Sequence, residues 1–229
     1  MGRVTKVKTR NERRLENWRW QVCLYLVAAL FALLPYRTVS AADVSFRWSV
    51  LADSTEGMQG LDFSGSPIVF SGTGLQIYVE HLKNCHIYLF LLDSGQNLTP
   101  LYPAENGYYN YGFPRGPKLI PPGDQSFTFV PPAGTETLLL IGSAERQFQL
   151  EKLTEEFDKN PDQMGQQKLL LDLLETILKD QEKNARAAER RKQVSVKYKT
   201  AEGIKEKQFQ ATKVTISDLY ARRLLIDHR

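Results

Sequence analysis

Leu119-Ile-Pro-Pro-Gly-Asp, Gln125-Ser-Phe-Thr-Phe-Val-Pro-Pro and Ala133-Gly-Thr-Glu-Thr-Leu-Leu-Leu-Ile-Gly-Ser-Ala follow one another without a break. Gln125 to Val130 sets Phe127 and Phe129 on one face and Ser126 and Thr128 on the other, the alternation of a half-buried strand. Pro131 and Pro132 end it, because neither can donate a ladder hydrogen bond. Glu136 to Ser143 is apolar at its centre and reads as the next strand. Working outward, Leu75-Gln-Ile-Tyr-Val-Glu-His-Leu alternates, and His86-Ile-Tyr-Leu-Phe-Leu-Leu is continuously apolar, as in a strand covered on both faces. Asp93-Ser-Gly-Gln is a turn whose Gly95 can take positive φ without steric cost. Leu98 to Tyr102 then completes a hairpin, stopped by Pro103. Asp43 to Ala52 alternates too, with Val44, Phe46, Trp48 and Val50 on one face, and reads as a first strand closing an edge. Ser66 to Phe70 reads as a short strand. Short strands punctuated by Pro and Gly predict a mainly β chain, an immunoglobulin-like antiparallel β-sandwich over residues 43–145.

Several of these segments carry a likeness to known sequences: Ile87-Tyr-Leu-Phe before Asp93-Ser-Gly-Gln, Leu101-Tyr-Pro, Ile120-Pro-Pro-Gly, and Pro132-Ala-Gly-Thr-Glu-Thr leading into an apolar strand and Ser143. In this order they resemble the bacterial domain of unknown function 4384 family, over roughly residues 60–146. The resemblance implies an accessory module of envelope or multidomain signalling proteins. It brings no catalytic residues with it, and its motifs are turns and strands.

The N-terminus speaks for location. Arg3, Lys6, Lys8, Arg10, Arg13, Arg14 and Arg19 precede an uncharged apolar run, Val22 to Leu34, and Pro35-Tyr-Arg-Thr-Val-Ser-Ala-Ala supplies small residues for cleavage. Residues 1–42 read as a secretory signal peptide. The alternative is a retained inner-membrane anchor through residues 22–34, although the run is shorter than the roughly 20 residues of a membrane span. The protein is therefore expected to be exported, periplasmic or envelope-associated.

Export changes the charge balance. Residues 43–229 hold 22 Lys/Arg and 24 Asp/Glu, with 8 and 17 in 43–178 against 14 and 7 in 179–229. An acidic β-domain followed by a basic tail argues against nucleic acid as a partner and leaves the tail free for anionic lipid or protein. Cys85 is the one cysteine after residue 42, so no internal disulfide is expected, and its place at a strand start predicts a buried, inert thiol.

Beyond Ser143 the period changes. Residues 146–193 are expected to be a helical extension. Leu170, Leu173, Leu174 and Ile177 fall at i, i+3, i+4 and i+7, an apolar stripe available to a partner or to the β-domain. Residues 194–229 read as a basic tail with short strands, Ser217 capping a terminal helix.

Chemistry is scarce. His81, Cys85 and His86 are close in sequence, but neighbouring strand residues point to opposite faces, so neither a metal nor a cofactor is expected. There is no phosphate loop, dinucleotide fingerprint or Gly-x-Ser-x-Gly elbow. The candidate contact residues are Tyr108, Tyr109, Tyr111, Phe113 and Arg115, in a Gly/Pro/Asn-rich loop where tyrosines offer large area at low entropic cost; the competing reading is that these rings cap the core. The expected function is a non-enzymatic binding or accessory module of the bacterial envelope with a protein partner. Two alternatives stand beside it: a structural subunit docking through its amphipathic helix, and a hydrolase whose site is not legible.

Overall fold

The computed structural model describes residues 43–229 apart from 56, 113–115, 161–163 and 185–186, so the expected leader lies outside the described residues. The chain is mainly β. Nine strands come first: β1 (Asp43–Ser54), β2 (Gly57–Gly60), β3 (Ile68–Val69), β4 (Gly74–His81), β5 (His86–Leu92), β6 (Leu98–Tyr102), β7 (Pro117–Ile120), β8 (Phe127–Thr128) and β9 (Gly134–Ser143). Two helices follow, α1 (Phe148–Lys159) and α2 (Met164–Asn184), and then β10 (Ala188–Thr200), β11 (Gly203–Ser217) and β12 (Leu219–His228). One sheet runs β10-β11-β1-β4-β7, with β2 on β1 and β8 on β4; the other runs β3-β12-β9-β5-β6. The β3–β12 pair is parallel and the other described pairs are antiparallel.

Three apolar layers hold these elements together. Between the sheets, Phe46, Trp48, Val50, Ile77 and Val79 face Ile87, Leu89, Leu138, Leu140, Leu224 and Ile226. The opposite face of the second sheet, with Tyr88, Phe90, Leu139 and Ile141, receives Leu150 and Phe157 of α1 and Leu170, Leu174 and Leu178 of α2. On the outward face of the first sheet, Leu51, Tyr78 and Leu119 pack on Val196, Phe209 and Ala211 of the β10–β11 hairpin. Each fully buried large apolar side chain contributes about 1.5–3 kcal/mol. The continuously apolar β5 and β9 are thus covered on both faces, as their composition predicts.

Several expectations are corrected. Leu170 and Leu174 are completely buried on the chain's own sheet, with Leu173 and Ile177 packed at the margin, so the α2 stripe is not a partner surface. β1 is an inner strand, between β11 and β4, and does not close an edge. Helix ends at Asn184 and β10 begins by Ala188, so residues 188–193 are strand. The expected terminal helix is β12, paired with β9 from Leu219↔Ser143 to His228↔Gly134. Its Tyr220, Leu224 and Ile226 point into the inter-sheet core, a period of two masked by Arg222. The basic tail is therefore built into both sheets. The β5–β6 turn takes positive φ at Gln96 (65°), and Asp93 closes it by accepting the Asn97 N–H at 2.7 Å.

Candidate functional site

The tyrosine-rich segment is mostly internal. Tyr108–Tyr111 form a 3-10 turn entered through Gly107 at φ 72°. The Tyr109 hydroxyl accepts the Ile87 N–H and donates to the Ile87 carbonyl, both at 2.7 Å. These backbone groups face the side where β6 has already ended, so a side chain stands in for the missing strand. Tyr108 is half-buried, its hydroxyl accepting from Tyr102 at 3.1 Å. Tyr111 is 95% exposed. Phe113 and Arg115 lie outside the described residues. The crevice beneath these rings has about 20 Å³, room for one water.

The His81 region is also structural in its contacts. His81 Nδ1 bonds the Cys85 carbonyl at 2.9 Å and Nε2 the Tyr102 hydroxyl at 3.1 Å. Burial lowers its pKa to about 4, reinforced by the nearby His86 and Lys118 and opposed by the Cys85 carbonyl. Cys85 is buried in the inter-sheet core, which pushes its thiol up to about 11. His86 lies on the other side of the sheet, its ring edge-on to Tyr109.

Two constellations join residues far apart in sequence. At one sheet edge His228 Nδ1 meets Glu136 Oε1 at 3.1 Å, and Nε2 meets Ser71 Oγ at 2.9 Å. Both ring nitrogens of His228 are thus engaged, one by the carboxylate and the other by the serine hydroxyl. His228 and Glu136 are buried while Ser71 is exposed. The order serine, histidine, acid is that of an activated nucleophile. The neighbouring donors are engaged, however: the N–H groups of Ser71, Gly72 and Thr73 bond the carbonyls of Arg229, Phe129 and Phe70.

The second constellation is a cleft of about 260 Å³ where β1, the 61–64 loop, β10 and β12 meet. Trp48 and Phe63 form its apolar wall, ring centroids 5.9 Å apart. Arg191 pairs with Asp62 at 2.9 Å. Arg222 pairs with Glu189 at 2.7 Å, donates to the Phe63 carbonyl at 3.1 Å and stands 5.9 Å from the Trp48 ring. The Trp48 Nε1–H is buried without an acceptor among the described residues. A second hollow of about 190 Å³ adjoins it, sharing Glu189 and Arg222 and walled by Tyr220 and Gln181. Nothing local in the sequence marks either constellation. Trp48 and Glu136 read as strand residues, Ser71 as a turn, and Glu189, Arg191, Arg222 and His228 as parts of a tail. One signal was present: Trp48, an aromatic that carries an N–H donor, on an otherwise aliphatic and phenyl strand face.

Among the described residues no three His, Cys, Asp or Glu gather into a metal-binding group, and no helix is long and apolar enough to cross a membrane. Neither a curated relative nor a solved structure matches the chain. Residues 69–146, which run from the last residue of β3 to just past β9, match the model of the family described as Domain of unknown function (DUF4384), and that segment of the chain is similar to this family.

Proposed function

We propose that this chain is an exported, non-enzymatic binding module of the bacterial cell envelope, with the Trp48 cleft as its contact site. The observation that carries this reading is an open cleft of about 260 Å³ whose wall holds two matched ion pairs, Arg191–Asp62 and Arg222–Glu189. The basic leader and its apolar run support export. For the scaffold we read the two facing sheets as a β-sandwich of the immunoglobulin-like class, with binding carried by the loops and strand ends at its margin. The test uses the full chain with Trp18→Phe and Trp20→Phe, which leaves Trp48 as its one tryptophan. Envelope extract is expected to shift Trp48 emission, cytosolic extract to leave it unchanged, and Arg222→Ala to abolish the shift. Equal response to both extracts, or recovery of the native protein in the cytosolic fraction of cells, defeats the proposal.

A second reading, a hydrolase, is favoured by the Ser71–His228–Glu136 chain alone. Donors aimed at a developing oxyanion are usually the largest catalytic term, and the N–H groups beside Ser71 are already used. A fluorophosphonate probe decides it: labelling that disappears in Ser71→Ala and His228→Gln supports a nucleophile, and an unlabelled protein leaves the three residues as a clamp on β12.

A further inference from the structure

We infer that the Trp48 cleft takes a neutral saccharide of at least two units, an inference that rests on the cleft being the binding site proposed above. Charge is the first reason. Its two guanidiniums are matched by two carboxylates, Arg191 with Asp62 at 2.9 Å and Arg222 with Glu189 at 2.7 Å. An anion entering the cleft meets Asp62 and Glu189, and a cation meets the arginines, so neither is favoured over a neutral ligand. The second reason is the mixture of hydrogen-bonding roles. Carboxylates only accept, whereas guanidinium groups only donate. A ligand that serves both must donate and accept from adjacent atoms, which vicinal hydroxyls do. Thr212 and Ser64, also on the wall, extend the same pattern. Third, the half-buried Leu61 and Phe63 offer an apolar surface to the C–H face of a pyranose while the polar groups hold its rim.

Size and shape set the number of units. The two hollows, about 260 and 190 Å³, share the Glu189–Arg222 pair on their walls. Each is below the roughly 300–1,000 Å³ of pockets that enclose a drug-sized ligand. Each suits one ring, and the shared ion pair sits where the linkage between rings would pass. A peptide fits less well: it is gripped through rows of unpaired strand backbone groups, and the Phe63 and Leu61 carbonyls on this wall already accept from Arg222 and Arg191.

The experiment titrates the full-length Trp18→Phe, Trp20→Phe protein with mono-, di- and tetrasaccharides of glucose and of N-acetylglucosamine, reading Trp48 emission and heat. The expected result is saturable binding of at least one neutral series, half-saturated between about 10 μM and 1 mM. The disaccharide should bind at least threefold tighter than the monosaccharide, with affinity unchanged between low and high salt. Arg222→Ala should weaken it at least tenfold. Asp62→Asn, which keeps a side-chain oxygen to accept the Ser64 N–H, should weaken it at least threefold. No saturable response to any neutral saccharide overturns the inference, as does binding that weakens steeply with salt and is competed by polyphosphate, since the ligand is then an anion. Envelope extract separates the two levels: a shift of Trp48 emission that survives glycosidase treatment but not protease sinks the saccharide and keeps the binding module, whereas no shift with extract or sugars sinks both.

Discussion

Tyr109 completes a ladder that β6 leaves unfinished. Phenylalanine in its place would strand the N–H and carbonyl of Ile87 in a buried strand, at a cost of about 1–3 kcal/mol. Tyr111, three-dimensionally its opposite at 95% exposure, should cost less than about 0.5 kcal/mol as alanine. Urea denaturation of Tyr109→Phe and Tyr111→Ala separates the two, and equal midpoints would refute the assignment. The same scale carries a pH prediction. Burial holds His81 near pKa 4 against an ordinary 6.5, so between those values the unfolded chain takes up a proton that the folded chain refuses. Stability contributed by the neutral ring is complete above pH 6.5 and is lost as pH falls toward 4, amounting to roughly 3 kcal/mol. Wild type should therefore lose more stability than His81→Gln between pH 7 and pH 4, and parallel losses would show that His81 is not responsible. That Tyr109 and Tyr111 would part company was not legible in Asn-Gly-Tyr-Tyr-Asn-Tyr-Gly. Adjacent tyrosines have equal propensities, and the turn's entry at Gly107 decides which ring points inward.

At the scale of elements, β9 is the most constrained strand. It pairs with β5 on one side and β12 on the other, and its Gly142 lies under the Phe46 ring. A Cβ there would stand 2.4 Å from Phe46 Cε1, and Phe46 is completely buried. Gly142→Ala is expected to destabilise by about 1–3 kcal/mol through overpacking, lowering the melting temperature by roughly 2–4 °C per kcal/mol in calorimetry. An unchanged melting temperature would mean that Phe46 can move aside. β9 was readable because its centre is apolar over Leu138 to Ile141 and proline and glycine bound it. β12 was not. Leu219-Tyr-Ala-Arg-Arg-Leu-Leu-Ile contains good helix formers, and only the open edge of β9 makes it a strand. Tertiary pairing here overrides local propensity.

At the scale of the molecule, the hairpin and the sheets depend on each other. The far end of β10–β11 is held over the first sheet by Phe209 against Tyr78, ring centroids 5.1 Å apart, and by Asp124, which accepts from Tyr198 at 2.7 Å and Lys205 at 3.0 Å. Gln76, fully buried, ties the same region down, donating to the carbonyls of Pro121, Gly123 and Gln125 and accepting from Lys207. The family-matched segment 69–146 contains neither β1 nor β11 nor β12. Expressed by itself it would expose the inner face of β4 and an open edge of β9. We therefore expect collapsed amide dispersion in its NMR spectrum, and well-dispersed signals for residues 43–229. A folded 69–146 fragment would show that the remaining strands decorate an independent domain.

The strands β4, β5, β6, β8 and β9 were legible in the sequence alone, because alternation, apolar runs and Pro/Gly breaks are local and need no partner to be read; β7 (Pro117–Ile120), flanked by glycine and proline, was not. Also legible was α2, whose leucines recur with the helical period. Its docking was not, since an apolar stripe specifies that something covers it and not what. The tertiary structure decided the rest: that the basic tail supplies inner strands of both sheets, that α2 covers the chain's own sheet, and that residues as distant as Trp48 and Arg222, or Ser71 and His228, become neighbours. Those contacts arise from sheet closure across more than 150 residues of chain, and no window of sequence contains both partners.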